Sequence, residues 1–140
     1  MFKNILVAYD GSEYARKAAA LAGDLARGQK SEAMVWIVTV MDPPPQSWGE
    51  PYRSHHIEQH THAGQNMIQE AIALVGAGVE IRHELLFGSP AQSILQVAET
   101  RGCDLIVMGT RGIGLLEGLL VGSQAQRVIS NAKCPVLTVK

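Results

Sequence analysis

The sequence predicts an α/β fold, an open parallel sheet with helices on both faces. Short runs that are apolar throughout alternate with longer segments whose apolar residues recur at helical spacing. The resulting order, β-α-β-α-β-α-β-α-β, implies right-handed crossovers between five parallel strands. With 140 residues, 46% hydrophobic and 18% charged, the chain can bury one core, so we predict a single domain over residues 1–140.

Five segments carry the pattern of strands. Four are short and largely apolar, whereas the third alternates and is predicted to lie at a sheet edge, with His83 as an inward-facing core histidine. The predicted strands are Asn4–Tyr9, Ala33–Val40, Val79–Phe87, Asp104–Met108 and Pro135–Val139.

Four helices are predicted between these strands. Ser12 caps the first, Ser89 and Pro90 begin the third, and Ser123 with Gln126 has the spacing of a capping box at the fourth. The predicted helices are 13–27, 55–75, 90–101 and 123–131.

The composition excludes several classes of function. A formal charge of -1 gives no basic field of the kind that nucleic-acid binding needs. No run of about 18 apolar residues is present, and the first apolar run ends at Asp10, so we expect a cytoplasmic protein without membrane insertion. Cys103 and Cys134 have no metal-ligand or redox spacing and are expected to be reduced, structural thiols.

The fold places a ligand beyond the carboxyl ends of the strands, near the point where the winding reverses. The loop from Gly109 to Ser123 stands out there, because a strand-to-helix connection usually has about 2 to 6 residues. Gly109 lets a phosphate approach the backbone, Gly112 permits a turn, and Gly122 precedes free helix amides to which the Ser123 hydroxyl adds a donor. The loop is no Walker A motif, since Leu115 follows Gly114, and no dinucleotide fingerprint, since Glu117 replaces its last glycine.

The spacing Gly109-x2-Gly112-x9-Gly122-Ser123 matches the pattern Gly-x2-Gly-x9-Gly-[Ser/Thr] of the ATP-binding branch of the universal stress protein family. The chain resembles this family throughout, in ILVAYDGS, VTVMD, DLIVMGTRG and GSQAQRVISNAKCPVLTVK. The resemblance implies a Rossmann-like, adenine nucleotide alpha hydrolase-like fold with strand order 3-2-1-4-5. It also implies ATP, or AMP or another adenine nucleotide, with Mg²⁺ or Mn²⁺ on the phosphates, and a homodimer formed through Pro135–Val139.

The same resemblance assigns roles to individual residues. Ala8 and Val40 would line an adenine slot with Met108 nearby, and Asp10 would approach the ribose. Gly109, Gly112, Gly122 and Ser123 would hold the phosphates, and Arg111 occupies a variable position between the first two glycines. From the residues alone, Asp10 is equally well a turn or capping residue, and Val40 and Met108 are core residues.

Three functions remain open at this stage. The first is a cytoplasmic homodimeric regulator that presents a nucleotide-dependent surface to an unidentified protein partner, with residues 113–121 as an apolar lid or assembly surface. The second is a slow ATPase, although the sequence offers no Walker B acid, only Glu117 within the loop and Asp42 if its loop folds back. The third is a stress-response dimer that binds no nucleotide.

A histidine-rich segment, HHIEQHTH, offers a different chemistry. His56 and His60 are one helical turn apart, with His55, Glu58 and His62 nearby, so a metal site is an alternative. The segment lacks the glutamate position of HExxH, and we favour a polar, solvent-facing start of a helix.

Overall fold

A computed structural model of the chain describes residues 1–111 and 121–140. Over these residues the chain forms five strands and four helices, and the α/β prediction is confirmed. They are β1 (Asn4–Ala8), α1 (Glu13–Arg27), β2 (Met34–Met41), α2 (Tyr52–Val75), β3 (Glu80–Phe87), α3 (Pro90–Thr100), β4 (Leu105–Gly109), α4 (Ser123–Asn131) and β5 (Val136–Val139). All strand pairs are parallel, in the order β3-β2-β1-β4-β5, as the family resemblance implied.

The sheet separates two hydrophobic cores. Helices α1 and α2 cover one face, and α3 and α4 cover the other. Small residues let α1 and α2 approach closely: a Cβ on Gly23 would lie 2.1 Å from the Val75 carbonyl oxygen, so a side chain there would force the two helices apart.

Of the predicted helix starts, that of α1 is confirmed, whereas the start of α2 and the cap of α4 differ in the structure. Ser12 caps α1 as predicted, accepting a hydrogen bond from the Ala15 amide at 3.2 Å. Helix α2 begins at Tyr52 rather than His55, because its first turn is held by backbone bonds that the polar sequence does not signal. The predicted capping box at Ser123 is wrong, because Gly122 is the N-cap and Ser123 is the first helical residue. The side-chain amide of Gln126 donates to the Val121 carbonyl at 3.4 Å.

The third strand has the predicted edge position, but His83 is not a core residue. β3 pairs with β2 on one side and ends the sheet. His83 is exposed, so the core position that the alternating pattern predicted for its ring is wrong. Among the described residues, no helix has both the length and the apolar character needed to cross a bilayer.

Candidate functional site

A cavity of about 580 Å³ lies at the carboxyl ends of the strands, beside β1 and β4. These two strands are neighbours, but the chain winds outward from them in opposite directions, to β2 and β3 on one side and to β5 on the other. The loops that follow β1 and β4 therefore diverge and leave a crevice, as is general in open α/β sheets. The volume is in the range of about 300 to 1,000 Å³ found for small-molecule sites.

The cavity brings together every described residue that the sequence assigned to the site. These residues come from β1, β2, β4 and the start of α4, four segments far apart in the chain. They are Ala8, Asp10, Val40, Met108, Gly109, Arg111, Gly122 and Ser123. Gly112, Glu117 and residues 113–120 of the predicted lid lie outside the described residues.

Asp10 lies in the turn after β1, at the cavity. Its Oδ1 accepts a hydrogen bond from the Ser12 amide at 2.9 Å, which fixes the turn into α1. The same residue lines the cavity. The two readings of Asp10, turn residue and cavity residue, are therefore compatible.

Tyr9 also lines the cavity, although the sequence predicts it only as the end of a strand. It is 2% exposed, and its hydroxyl donates to Glu70, which also pairs with Arg16 at 2.7 Å. Burial, followed by the Glu70 hydrogen bond, raises the pKa of the Tyr9 hydroxyl well above its ordinary value. The Tyr9 hydroxyl therefore stays protonated and bonded to Glu70 beside the cavity.

Gly109 has a packing reason to be glycine. A Cβ there would lie 2.6 Å from the Cβ of Tyr14 and 3.0 Å from the Arg111 carbonyl oxygen. The sequence predicts a glycine here so that a phosphate can approach, whereas close packing against α1 requires a glycine without any ligand. Arg111 donates to the Tyr14 hydroxyl and holds its guanidinium 4.9 Å from that ring's centroid, which keeps a positive charge at the cavity edge.

The helix α4 points its amino end at the cavity. The Gly122 amide is already bonded to the Thr110 carbonyl, so the amides of Ser123 to Ala125 are those that the first helical turn leaves without an intrahelical acceptor. The Gln124 side chain accepts from the Ala91 amide at 3.0 Å and joins the starts of α3 and α4. This end carries a partial positive charge and favours an anion.

Another part of the cavity lining comes from the end of β2 and from α2. Met41, Asp42, His60 and Met67 form it. The sequence pointed to Asp42 but not to His60, which it placed on a solvent-facing helix or in a metal site. No amphipathic period in this polar segment signals that His60 turns inward.

The histidine segment is organised by contacts with the backbone. His56 Nε2 donates to the Asp42 carbonyl at 3.0 Å, and His60 Nδ1 donates to the His56 carbonyl at 2.9 Å. The two rings stack with centroids 3.8 Å apart, and Trp48 meets His56 edge-on at 5.7 Å. Within residues 1–111 and 121–140, no group of three or more His, Cys, Asp or Glu is arranged to hold a metal ion.

A family model, related sequences and solved structures all indicate the same protein family. The chain matches the model of the universal stress protein family over residues 1–140. It is 44% identical to a Thermus aquaticus protein described as the universal stress protein in QAH/OAS sulfhydrylase 3'region, over all of both chains.

Two solved structures share the fold. The hypothetical protein MJ0577 superposes with a TM-score of 0.88 at 28% identity, covering 100% of this chain and 96% of the other. A universal stress protein from Archaeoglobus fulgidus in complex with dAMP has a TM-score of 0.73 at 25% identity, covering 99% and 98%. The chain belongs to the universal stress protein family.

Proposed function

We propose that this protein is a cytoplasmic, homodimeric regulator that binds an adenine nucleotide, ATP foremost, in the cavity at the ends of β1, β2 and β4. One observation carries the proposal: eight residues expected to contact a nucleotide, from four separate segments, line a single cavity of about 580 Å³. The complex of the Archaeoglobus fulgidus relative with dAMP supports the same class of ligand.

The chemistry of the walls suits the three parts of a nucleotide. Ala8, Val40 and Met108 offer an apolar slot for the base. The Asp10 carboxylate is an acceptor for ribose hydroxyls, and the amino end of α4 is an anion site for the phosphates. Arg111 supplies a counter-charge beside it.

A divalent cation is a further part of the proposal. Asp10 and Asp42 line the same cavity, and their carboxylates are the oxygen ligands that Mg²⁺ and Mn²⁺ prefer. Asp42 would hold the ion beside the phosphates if its loop folds back over them, and the ion would neutralise their charge.

The experiment that tests the proposal begins with the purified protein. The protein is denatured and any released small molecule is identified by chromatography, and emptied protein is titrated calorimetrically with ATP, AMP and cyclic AMP. We expect an adenine nucleotide in the released fraction or a saturable heat with ATP. An empty site that also gives no heat with any of the three would end the proposal.

The alternative of a slow ATPase is separated by measuring phosphate release. Release that scales with protein and is lost in Gly122→Val would favour the enzyme. Binding without release would favour the regulator. A dimer that binds nothing would support the third alternative, a stress-response dimer independent of nucleotide.

The homodimer is proposed from the edge strand β5. It pairs with β4 on one side, leaves a backbone edge on the other, and carries Leu137 38% exposed. We expect a dimer by light scattering at micromolar concentration and a monomer for Leu137→Asp. Ile57→Asp is the matched control, since Ile57 is 39% exposed but lies on α2. A monomeric wild type, or equal effects of the two variants, would contradict a β5 interface.

A further inference from the structure

His60 reaches the cavity from α2, and the structure fixes which of its atoms can meet a ligand. Its Nδ1 donates to the His56 carbonyl at 2.9 Å. A carbonyl oxygen is an acceptor, so Nδ1 carries a hydrogen. In the neutral ring the other nitrogen, Nε2, then has a lone pair and accepts hydrogen bonds.

One stacking contact and the Nδ1 hydrogen bond fix the orientation of this ring. The His60 ring stacks on His56 at 3.8 Å with 15° between the planes, and His56 is itself tied to the Asp42 carbonyl at 3.0 Å and backed by Trp48. His60 is half-buried and lines the cavity. Because Nδ1 is engaged by the His56 carbonyl, Nε2 is the ring nitrogen that can bond to a ligand in the cavity.

The position of α2 decides which part of a nucleotide this atom would meet. α2 packs on the face of the sheet opposite to α4, and beside β2. The proposed phosphate site belongs to α4 and the end of β4, whereas Val40 at the end of β2 and Asp10 after β1 belong to the base and ribose. His60 therefore lies on the nucleoside side of the cavity.

We infer that His60 Nε2 accepts a hydrogen bond from the nucleoside half of the bound nucleotide, and that the stacked His56 ring positions it. The inference rests on the proposed function. The donors that a nucleoside offers are the ribose hydroxyls and the exocyclic amino group of adenine, and an acceptor at this place selects for a ligand that carries the donor.

The test measures the affinity of four ligands for the wild type and for two variants. ATP, 2'-deoxy-ATP, 3'-deoxy-ATP and ITP each retain the triphosphate, and each of the last three lacks one of the donors. His60→Phe keeps an aromatic ring against His56 but has no acceptor, and His62→Phe is the matched control on the same helix, where His62 is exposed. Affinities are measured by calorimetry.

We expect His60→Phe to weaken ATP binding about threefold to tenfold, the worth of one hydrogen bond, and His62→Phe to leave it unchanged. The wild type should discriminate against one analogue by a similar factor, and that discrimination should vanish in His60→Phe. As an independent readout, the ¹⁵N resonance of His60 Nε2 should shift when ATP binds.

Two results would overturn the inference while leaving the proposed function intact. One is His60→Phe binding all four ligands as the wild type does. The other result has two parts. His60→Phe loses affinity for all four ligands equally and so still discriminates among the analogues, and the Nε2 resonance of the wild type does not move when ATP binds. Failure of the wild type to bind any of the four would instead remove the proposed function, and with it this inference.

Discussion

The two ends of the sheet are built from the same strands and helices but offer opposite chemistry. The carboxyl end has a cavity of about 580 Å³, and the amino ends of α3 and α4 open onto it. The amino end has a cavity of about 250 Å³ lined by the last turns of α3 and α4 and by Cys103 and Cys134. Because the paired strands are all parallel, the helices that connect them begin at the carboxyl end of the sheet and finish at its amino end. The free amides of the helices therefore lie at the carboxyl end, where they favour anions.

Two aspartates make the same contrast at the level of single side chains. Asp104, at the amino end, accepts hydrogen bonds from the amides of Lys3 at 2.8 Å and Asn4 at 3.1 Å and ties the chain terminus to β4. Asp10, at the carboxyl end, accepts from the Ser12 amide and also lines the large cavity. Asp104 thus stabilises the fold, whereas Asp10 stabilises a turn and also lines the proposed site.

The largest effect is expected at Gly109, the last residue of β4, and a smaller one at Gly102, in the turn before that strand. Gly109→Ala places a methyl group 2.6 Å from the Cβ of Tyr14, and we expect a loss of about 2 kcal/mol in the free energy of unfolding together with a distorted site. Gly102→Ala meets no atom within 4 Å but adopts a φ of +63°, which costs roughly 1 kcal/mol. Urea denaturation measures both.

Gly49→Ala is the control for the glycine comparison, since a Cβ at Gly49 also meets no atom within 4 Å. It should unfold like the wild type. If Gly109→Ala were as stable as Gly49→Ala, the packing reason for Gly109 would be wrong, and the phosphate approach would remain as its explanation.

The second prediction exchanges each aspartate for asparagine. Asp10→Asn keeps an acceptor for the Ser12 amide but loses the charge, so we expect little change in stability and about a tenfold loss of nucleotide affinity. Asp104→Asn should leave affinity unchanged and lower the free energy of unfolding by about 1 kcal/mol, because a carbonyl oxygen replaces two charged acceptors. Calorimetric titration and urea denaturation of both variants check this.

The reverse result would break the contrast between the two ends. An Asp104→Asn variant that loses nucleotide affinity while its stability is unchanged would place a ligand contact at the amino end. An Asp10→Asn variant with wild-type affinity would remove Asp10 from the proposed site.

The smallest effect concerns the thiols of the amino-end cavity. Burial, followed by the neighbouring Cys134, raises the pKa of Cys103 to about 12. The unfolded chain then releases this proton first, so stability is full below about pH 8.5 and falls as the pH rises above it. From about pH 8.5 to 9.5 we expect the free energy of unfolding to fall by about 1 kcal/mol, and by less in Cys103→Ala.

Urea denaturation across this range measures the slope. The range ends near the ordinary pKa of tyrosine, about 10, because the raised pKa of Tyr9 contributes in the same direction at higher pH. Cys134→Ala is the control, with a smaller change in slope since Cys134 is less buried. Equal slopes in the wild type and both variants would show that the thiols do not titrate differently on folding.

Much of the fold and part of the site follow from local patterns. Apolar runs and helical periods are properties of neighbouring residues, so they predicted the elements and the parallel sheet, and with it the end where a ligand would bind. The glycine spacing, through its resemblance to a known family, predicted eight residues that line the cavity. The roles of those eight residues stay predictions.

The remaining features depend on distances between segments that are remote in the chain. The sequence by itself determined the alternation of strands and helices and the direction in which the helix dipoles point. The tertiary structure alone decided that His83 is exposed, that Gly122 rather than Ser123 caps α4, and that His60 faces the cavity. These outcomes depend on the place of β3 at the end of the described sheet, on the Thr110 carbonyl and on the end of β2. No local period in the sequence encodes such positions.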